Sequence, residues 1–177
     1  MPRPSRSKPR PPLSAASLEE LALFYVGRYA TTRARLRRYL ERKIRERGWE
    51  SDAPPDIAVI AEKFAERGYI DDRGFANMRA YSLVRRGYGP RRLNGRLYAD
   101  GIEDEDGEEA REIARKGAWD SAEIFAKKRR IGPFAAEPLD DNARQKAFAA
   151  MMRAGHDIDL VKKFINSEPG SPPERDA

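Results

Sequence analysis

The sequence predicts an all-α protein of three tandem three-helix repeats that form an elongated, curved array. Apolar residues recur every three or four positions through most of the chain, as the buried face of a helix requires. Helix-ending glycines return at a nearly fixed interval, because Gly48, Gly101 and Gly155 are 53 and 54 residues apart. The composition is 40% hydrophobic and 36% charged, which is poor in core for 177 residues. Since one three-helix unit is too small to cover its apolar faces, we expect the units to stack on one another.

The repeated pattern is two apolar residues four positions apart, then a glycine four positions later, then a larger residue. It reads Leu40, Ile44, Gly48, Trp49; Leu93, Leu97, Gly101, Ile102; and, more loosely, Ala147, Met151, Gly155, His156. Glycine accepts the left-handed backbone that ends a helix, and the next side chain folds back on the last turn. His156 is the single histidine of the chain, and its place in this pattern predicts packing rather than metal binding.

The first repeat is predicted to span residues 17–70. Ser17 and Glu20 have the spacing of a capping box and open its first helix. A second helix opens near Thr32, and a third ends at Gly68. The predicted inward stripe of the first helix consists of Leu18, Leu21, Ala22, Tyr25 and Tyr29.

The second repeat is predicted over residues 71–117. Asp71 or Asp72 is placed to cap its first helix, a more economical interpretation than an acid–base pair or a metal site. That helix ends near Gly87, and Pro90 suits the first turn of the next one.

An acidic segment, residues 103–109, precedes the last helix of this repeat. Its residues from Asp106 to Glu109 resemble an N-terminal capping box, and its spacing is not that of a calcium loop. The exposed negative charge either meets a basic partner or opposes arginines within the protein.

The third repeat is predicted over residues 118–166. It opens with a helix at Trp119, continues through a loop at Gly132, and has caps at Asp140 and Asp157 for its last two helices.

Two flanking segments carry no fold signal. Residues 1–16 form a predicted disordered arm, and residues 167–177 form a polar, proline-rich tail predicted to be disordered. The basic residues of the arm are Arg3, Arg6, Lys8 and Arg10. They either contact phosphates loosely or only keep the chain in solution.

Several functional classes lack a basis in the sequence. There is no cysteine, no apolar run as long as a membrane span and no apolar segment of a signal peptide. No phosphate loop, nucleophile elbow or metal-ligand cluster is recognisable. We therefore expect a cytoplasmic protein that is not an enzyme, binds no cofactor and has no membrane partner.

Arginines form the main candidate binding surface. The net charge is +6, and residues 73–99 contain no acidic residue. The candidate binding residues are Arg33, Arg35, Arg37, Arg38, Arg85, Arg86, Arg91, Arg92 and Arg96. Guanidinium groups bind phosphate or carboxylate oxygens two at a time, so the target is DNA or an acidic protein groove. The alternative is that these arginines only cover solvated helix faces.

Aromatic residues beside the glycines offer a second kind of contact. Trp49, Tyr69 and Tyr88 have rings that stack on nucleic-acid bases in other proteins, but their positions at helix ends favour packing.

The centre of the chain resembles a known family. The segment Tyr69-Ile70-Asp71-Asp72-x-x-Phe75-Ala76, followed by Arg86-Gly87-Tyr88-Gly89-Pro90, is similar to the core motif of the bacterial regulatory RecX family. The resemblance covers roughly residues 17–165 and implies the same tandem three-helix fold. Gly74, Asn94 and Gly95 depart from the pattern, since each favours helix less than the residue it replaces.

The resemblance implies a non-enzymatic modulator of the RecA recombinase in DNA repair, recombination and the SOS response. Such proteins lie in the groove of the RecA–DNA filament, bridge its protomers, and inhibit ATP hydrolysis, strand exchange and co-protease function. The implied partners are the RecA filament, single-stranded DNA and also double-stranded DNA, with the regulator acting as a monomer. It implies no particular contact residues. Without it, the sequence indicates only a basic helical-repeat binding protein, and a stand-alone DNA-binding module that needs no RecA is the alternative.

Overall fold

The structure is a computed structural model that describes residues 11–175. Over this range the chain forms nine α-helices and one short 3-10 helix, and the only β pairing is an isolated bridge between Leu13 and Trp49. The α-helices are α1 Ala15–Arg28, α2 Arg33–Arg47, α3 Ile57–Glu66, α4 Asp72–Arg85, α5 Pro90–Asp100, α6 Asp104–Lys116, α7 Ala118–Arg129, α8 Asp141–Ala154 and α9 Ile158–Asn166, with the 3-10 helix at Gly132–Phe134. The predicted all-α fold is confirmed. None of these helices is long and apolar enough to cross a bilayer.

The buried residues form three hydrophobic clusters along the chain. We call α1–α3, α4–α6 and α7–α9 the first, second and third helical groups. The first cluster centres on Leu18, Leu36, Leu40 and Phe64. The second sets Leu93 and Leu97 against four alanines, Ala76, Ala80, Ala110 and Ala114. The third centres on Met151, Val161 and Phe164.

The chain forms two compact units. The first ends at Asp72 and the second begins at Arg73, so the second and third helical groups lie in one unit. Tyr88 packs against the clusters of both these groups. The division into repeats at 17–70, 71–117 and 118–166 stays a prediction.

The start of the first group differs from the prediction. Leu13, in the predicted arm, is fully buried, and its N–H donates to the Gly48 carbonyl at 3.0 Å. Helix α1 then begins at Ala15, where the side chains of Ser14 and Ser17 each accept a bond from the other residue's backbone N–H. The predicted capping box at Ser17 and Glu20 was wrong, because the box is formed three residues earlier by Ser14 and Ser17. Residues 1–10 of the predicted arm lie outside the described range.

Helix α6 also begins earlier than predicted. It starts at Asp104, and the side chain of Glu103 at the N-cap makes no capping bond. The box predicted at Asp106 was therefore wrong. Arg111 instead holds the first turn, since it donates to the Asp104 carboxylate at 2.8 Å and to the Asp104 carbonyl at 2.8 Å. Three carboxylates in this first turn suit the positive end of the helix dipole.

Glycine ends the middle helix of the second and third groups as predicted. Gly101 and Gly155 have φ of 71° and 91°, in the left-handed region. The residue after each glycine donates back to the last turn, Ile102 to Leu97 at 3.0 Å and His156 to Met151 at 3.3 Å. Gly48 also has a positive φ of 84° and ends α2.

The segment between α4 and α5 is docked on the segment between α8 and α9. The N–H of Gly89 donates to Ala154 at 3.0 Å, and that of Arg91 donates to Gly155 at 3.1 Å. A Cβ placed on Gly89 would lie 2.3 Å from the Gly155 carbonyl oxygen. Both glycines are therefore required by the close approach of the two backbones. This docking fixes the start of α5, where two of the candidate arginines lie.

The tail after α9 makes contacts that the prediction of a disordered segment did not include. The N–H of Gly170 donates to the Pro133 carbonyl at 2.9 Å, and Arg175 pairs with Asp120 at 3.1 Å.

Candidate nucleic-acid interface

Five of the candidate arginines lie around the α4–α5 junction. Arg85 is the last residue of α4, and Arg91 and Arg92 lie in the first turn of α5. Arg92 and Arg96 are one turn apart on α5 and share a face. Arg85, Arg86, Arg91 and Arg96 are exposed, and Arg92 is half-buried.

The ring of Tyr88 contacts two arginine side chains of this surface. The guanidinium carbon of Arg92 lies 4.3 Å from the Tyr88 ring centroid, and that of Arg86 lies 5.4 Å from it. A cation near an aromatic face is attracted by the negative charge density of the ring. Because Tyr88 is itself packed on two hydrophobic clusters, both guanidinium groups are held in place. The predicted packing role of Tyr88 is confirmed, and it positions two of the predicted site residues.

Two of these arginines also contact the third helical group. Arg91 pairs with Asp157 at 3.2 Å, with both side chains more than half exposed. Such an exposed pair contributes little and can be exchanged for a phosphate. Arg92 donates to the carbonyl of Arg153 at 3.4 Å.

Arg85 and Arg96 have no ion pair or side-chain hydrogen bond to any residue that the structure describes. Each is exposed. They are therefore the arginines of this set most available to an external anion.

The structure adds one cation, Lys128, that sequence reasoning missed. Lys128 donates from Nζ to the Arg86 carbonyl at 3.2 Å, and the backbone of Arg153 touches Arg92. Lys128 belongs to a run of four basic residues, 127–130, at the end of α7. That run was the available signal, but only the tertiary fold brings it beside Arg86. We call the set Arg85, Arg86, Arg91, Arg92, Arg96 and Lys128 the junction surface.

Arg33 on α2 is already engaged within the first unit. Its Nε lies 3.1 Å from Oδ2 of Asp72, and its NH1 lies 3.3 Å from Glu62. The Asp72 side chain is 4% exposed. Release of Arg33 to an external phosphate would leave a buried carboxylate without its cation, which is costly. We therefore interpret Arg33 as stabilising the fold.

Of the two residues predicted to cap α4, Asp71 directly precedes that helix, whereas Asp72 caps a different one. Its Oδ1 accepts from the backbone N–H of Arg33 at 3.0 Å, so the carboxylate caps the start of α2. Asp72 itself is the first residue of α4 and does not precede that helix as a cap would. Among residues 11–175, no group of carboxylates and histidine is arranged to hold a metal ion.

The other α2 arginines do not share one face. With 100° per residue, Arg35 and Arg38 lie on the same side of the helix as Arg42, whereas Arg37 lies on the side of Arg33. The structure therefore places Arg86 and Arg92 at the Tyr88 ring but divides the α2 set between two faces.

His156 is part of the docking that supports the junction surface. Its ring is fully buried, lies 5.6 Å from the Phe125 ring, and places Nε2 3.2 Å from the Gly87 carbonyl. Burial lowers the pKa of His156 to about 4, against the opposing effect of the Gly87 carbonyl. The ring is neutral at pH 7, and Nε2 must carry the hydrogen to donate to Gly87. The predicted packing role of His156 is confirmed.

Comparison with known proteins bears on this region directly. The sequence model of the family described as "RecX, second three-helix domain" matches residues 71–110, which include α4, α5 and the junction between them. A regulatory protein RecX from Myxococcus xanthus is 32% identical over 185 residues, covering 94% of this chain and 96% of the relative. The chain belongs to the RecX family.

Further RecX proteins agree in sequence and fold. Regulatory protein RecX of Stenotrophomonas maltophilia strain K279a is 31% identical over 133 residues, which cover 75% of this chain and 78% of the relative. The crystal structure of RecX from Lactobacillus salivarius superposes with a TM-score of 0.59 at 19% identity, over 85% of this chain and 93% of that one. At that identity, the likeness to this RecX structure shows the fold alone.

Proposed function

We propose that this RecX-family chain regulates RecA by binding the RecA–DNA filament and inhibiting ATP hydrolysis, strand exchange and co-protease function. The observation that carries the proposal is the junction surface, in which Tyr88 holds two guanidinium groups beside further exposed cations. Five of its six residues lie within the segment that the family model matches.

The chemistry of the junction surface suits an anionic partner. Residues 73–99 contain no carboxylate, so a phosphate or an acidic side chain meets little competition there beyond Asp157. Guanidinium groups already held on a ring lose less conformational freedom on binding than free side chains do. A nucleoprotein filament offers both kinds of anion, the phosphates of its DNA and the carboxylates of its protein.

Inhibition follows if the chain binds one state of the filament more tightly than the others. A ligand with such a preference shifts the equilibrium toward the state it binds. A protein that contacts neighbouring RecA subunits would oppose the rearrangements that accompany hydrolysis and strand exchange. In this proposal the chain acts as a monomer in the cytoplasm, without a cofactor and without catalysis of its own.

The test is the ATP hydrolysis of RecA on single-stranded DNA. A variant with Arg85, Arg86, Arg91 and Arg92 all changed to Gln should inhibit at least tenfold less well than the unaltered chain, since loss of about 1.4 kcal/mol of binding free energy corresponds to tenfold. The charge-matched control changes Arg115, Lys116, Lys146 and Lys162 to Gln, all of them exposed and outside the junction surface. Circular dichroism checks that helicity is retained. Equal loss of inhibition in both variants would mean that net charge, and not this surface, carries the effect.

A further inference from the structure

The first helical group carries a surface groove with an unusual lining. The groove lies between α1 and α2 and has a volume of about 400 Å³. Its lining consists of Phe24, Tyr25, Tyr29, Tyr39, Arg42 and Lys43. Four aromatic rings and two cations therefore meet on one open surface.

Three of the aromatic rings are in contact with one another. Tyr25 and Tyr39 are stacked, with centroids 4.2 Å apart and planes 15° apart. Tyr29 contacts Tyr25 at a tilt, with centroids 5.3 Å apart and planes 49° apart. Periodicity placed Tyr25 and Tyr29 on the inward stripe of α1. Tyr25 is half-buried and packs on the first hydrophobic cluster as predicted, whereas Tyr29, which follows the last residue of α1, is exposed.

Two rings of the groove are open to solvent. Phe24 is 60% exposed and Tyr29 is 50% exposed. A large aromatic side chain left in water forgoes the burial that usually stabilises it. Two of them at one groove indicate a surface that is covered in a complex.

Three basic side chains lie close to the rings of Tyr29 and Tyr39. Arg42 and Lys43 lie 5.5 and 5.8 Å from the Tyr39 ring centroid, and Arg28 lies 5.9 Å from that of Tyr29. Helical periodicity places Arg35 and Arg38 on the same face of α2 as Arg42. Arg42 and Lys43 therefore line the groove, and Arg35 and Arg38 continue the positive charge along the same face of α2.

We propose that this groove binds single-stranded nucleic acid, with bases stacked on Phe24 and Tyr29 and phosphates at Arg42 and Lys43. Stacking on aromatic side chains inside a basic groove is a general way to hold single strands without sequence preference. The site is distinct from the junction surface and needs no recombinase. It extends the proposed function by giving the chain a contact with bases as well as with phosphates.

One carboxylate competes with the proposed phosphates. Glu46 pairs with Lys43 at 2.6 Å and with Arg42 at 3.5 Å. All three lie at the surface, and exposed pairs of this kind contribute little, so a phosphate can displace Glu46. An apolar protein segment is the other conceivable occupant, but the surrounding cations favour an anionic polymer.

The test uses fluorescence anisotropy of the full chain with two labelled oligonucleotides of equal length at one salt concentration. One is an oligothymidylate, and the other has the same backbone with abasic sites. The double variant Phe24→Leu, Tyr29→Leu should bind the oligothymidylate at least tenfold more weakly, because it removes two rings on which bases stack. Its binding to the abasic strand should be unchanged, since the phosphate contacts remain.

Two further variants separate a stacking role from a structural one. Tyr29→Phe retains the ring and should bind like the unaltered chain. Tyr98→Leu removes a ring that is 87% exposed on α5 and should have no effect. An equal loss on both strands, or no loss on either, would overturn the proposal. Loss of binding to RecA filaments with unchanged binding to naked DNA would also overturn it, because the groove would then be a protein-binding site.

Failure of the groove and failure of the proposed function give different results. If the groove proposal alone fails, the double variant binds naked DNA normally, while the four-arginine variant still loses inhibition of RecA. If the proposed function alone fails, the four-arginine variant inhibits normally, while the double variant still loses affinity for the oligothymidylate.

Discussion

At the residue scale, His156 shows how one buried polar group supports the candidate site. Its Nε2 contacts the Gly87 carbonyl, whereas Nδ1 has no hydrogen-bond partner among residues 11–175. Gly87 belongs to the segment that leads into the junction surface. Protonation of His156 would place a positive charge on a fully buried ring, which burial makes unfavourable. The ring therefore links the stability of the second unit to pH.

The sign of that dependence follows from the lowered pKa. His156 has a pKa of about 4 in the fold and about 6.5 when unfolded, so the unfolded chain binds a proton first as pH falls. The free energy of unfolding should be unaffected by this group above pH 6.5 and should decrease between pH 6.5 and pH 4. From pH 7 to pH 5 the decrease due to His156 should be roughly 2 kcal/mol. Urea unfolding at the two pH values measures it.

The variant His156→Gln is the comparison for this prediction. Glutamine keeps a donor for the Gly87 carbonyl but does not titrate, so its pH dependence should be shallower by the same amount. Equal pH dependence in both proteins would mean that His156 does not titrate in this way.

At the element scale, the contact between the α4–α5 and α8–α9 connections organises the second unit. The two backbone segments approach so closely at Gly89 and Gly155 that no side chain fits between them. This contact sets the start of α5 and, with it, the positions of Arg91 and Arg92.

The change Gly89→Ala should disrupt this docking. The new Cβ would lie 2.3 Å from a carbonyl oxygen of the neighbouring segment, and overpacking of this kind costs about 1–3 kcal/mol or more. Urea unfolding should show that loss of stability.

Gly95→Ala on the same helix is the matched control. Gly95 lies within α5, and a Cβ there would meet nothing within 4 Å. The substitution should stabilise the protein by about 0.5–1 kcal/mol, because alanine favours helix more than glycine does. The same sign of change in both variants would contradict the role assigned to the docking.

Features that depend only on residues close together in the sequence could be predicted. The glycine helix ends at Gly101 and Gly155 follow from a local backbone requirement, and the following residue packs as expected. The burial of Leu13 beside α1 could not be predicted, because its backbone bonds to Gly48, which is far away in sequence. Periodicity likewise shows that α2 carries many arginines, but not that Asp72 engages Arg33.

The candidate site was predictable in part for the same reason. The arginines of α4 and α5 are close in sequence and lie around one junction. Lys128 comes from another helix, and its place beside Arg86 depends on tertiary packing. The groove of Tyr25 and Tyr39 escaped prediction because aromatic residues at helical spacing usually indicate core.

At the scale of the whole molecule, the proposed function depends on a positively charged surface. The chain has a net charge of +6 and a pI of about 9.6. Such a protein binds any polyanion to some extent, with an affinity that falls as salt rises. Regulation of RecA therefore requires that the filament be preferred over naked DNA, and this preference is the central claim.

Co-sedimentation tests it most directly. The full chain is centrifuged with RecA filaments on single-stranded DNA and, at the same salt and DNA concentrations, with the DNA alone. The account predicts that more of the chain sediments with the filament, and that the four-arginine variant loses this excess while the charge-matched control keeps it. Equal binding to filament and to bare DNA would contradict the account and would favour a stand-alone DNA-binding module.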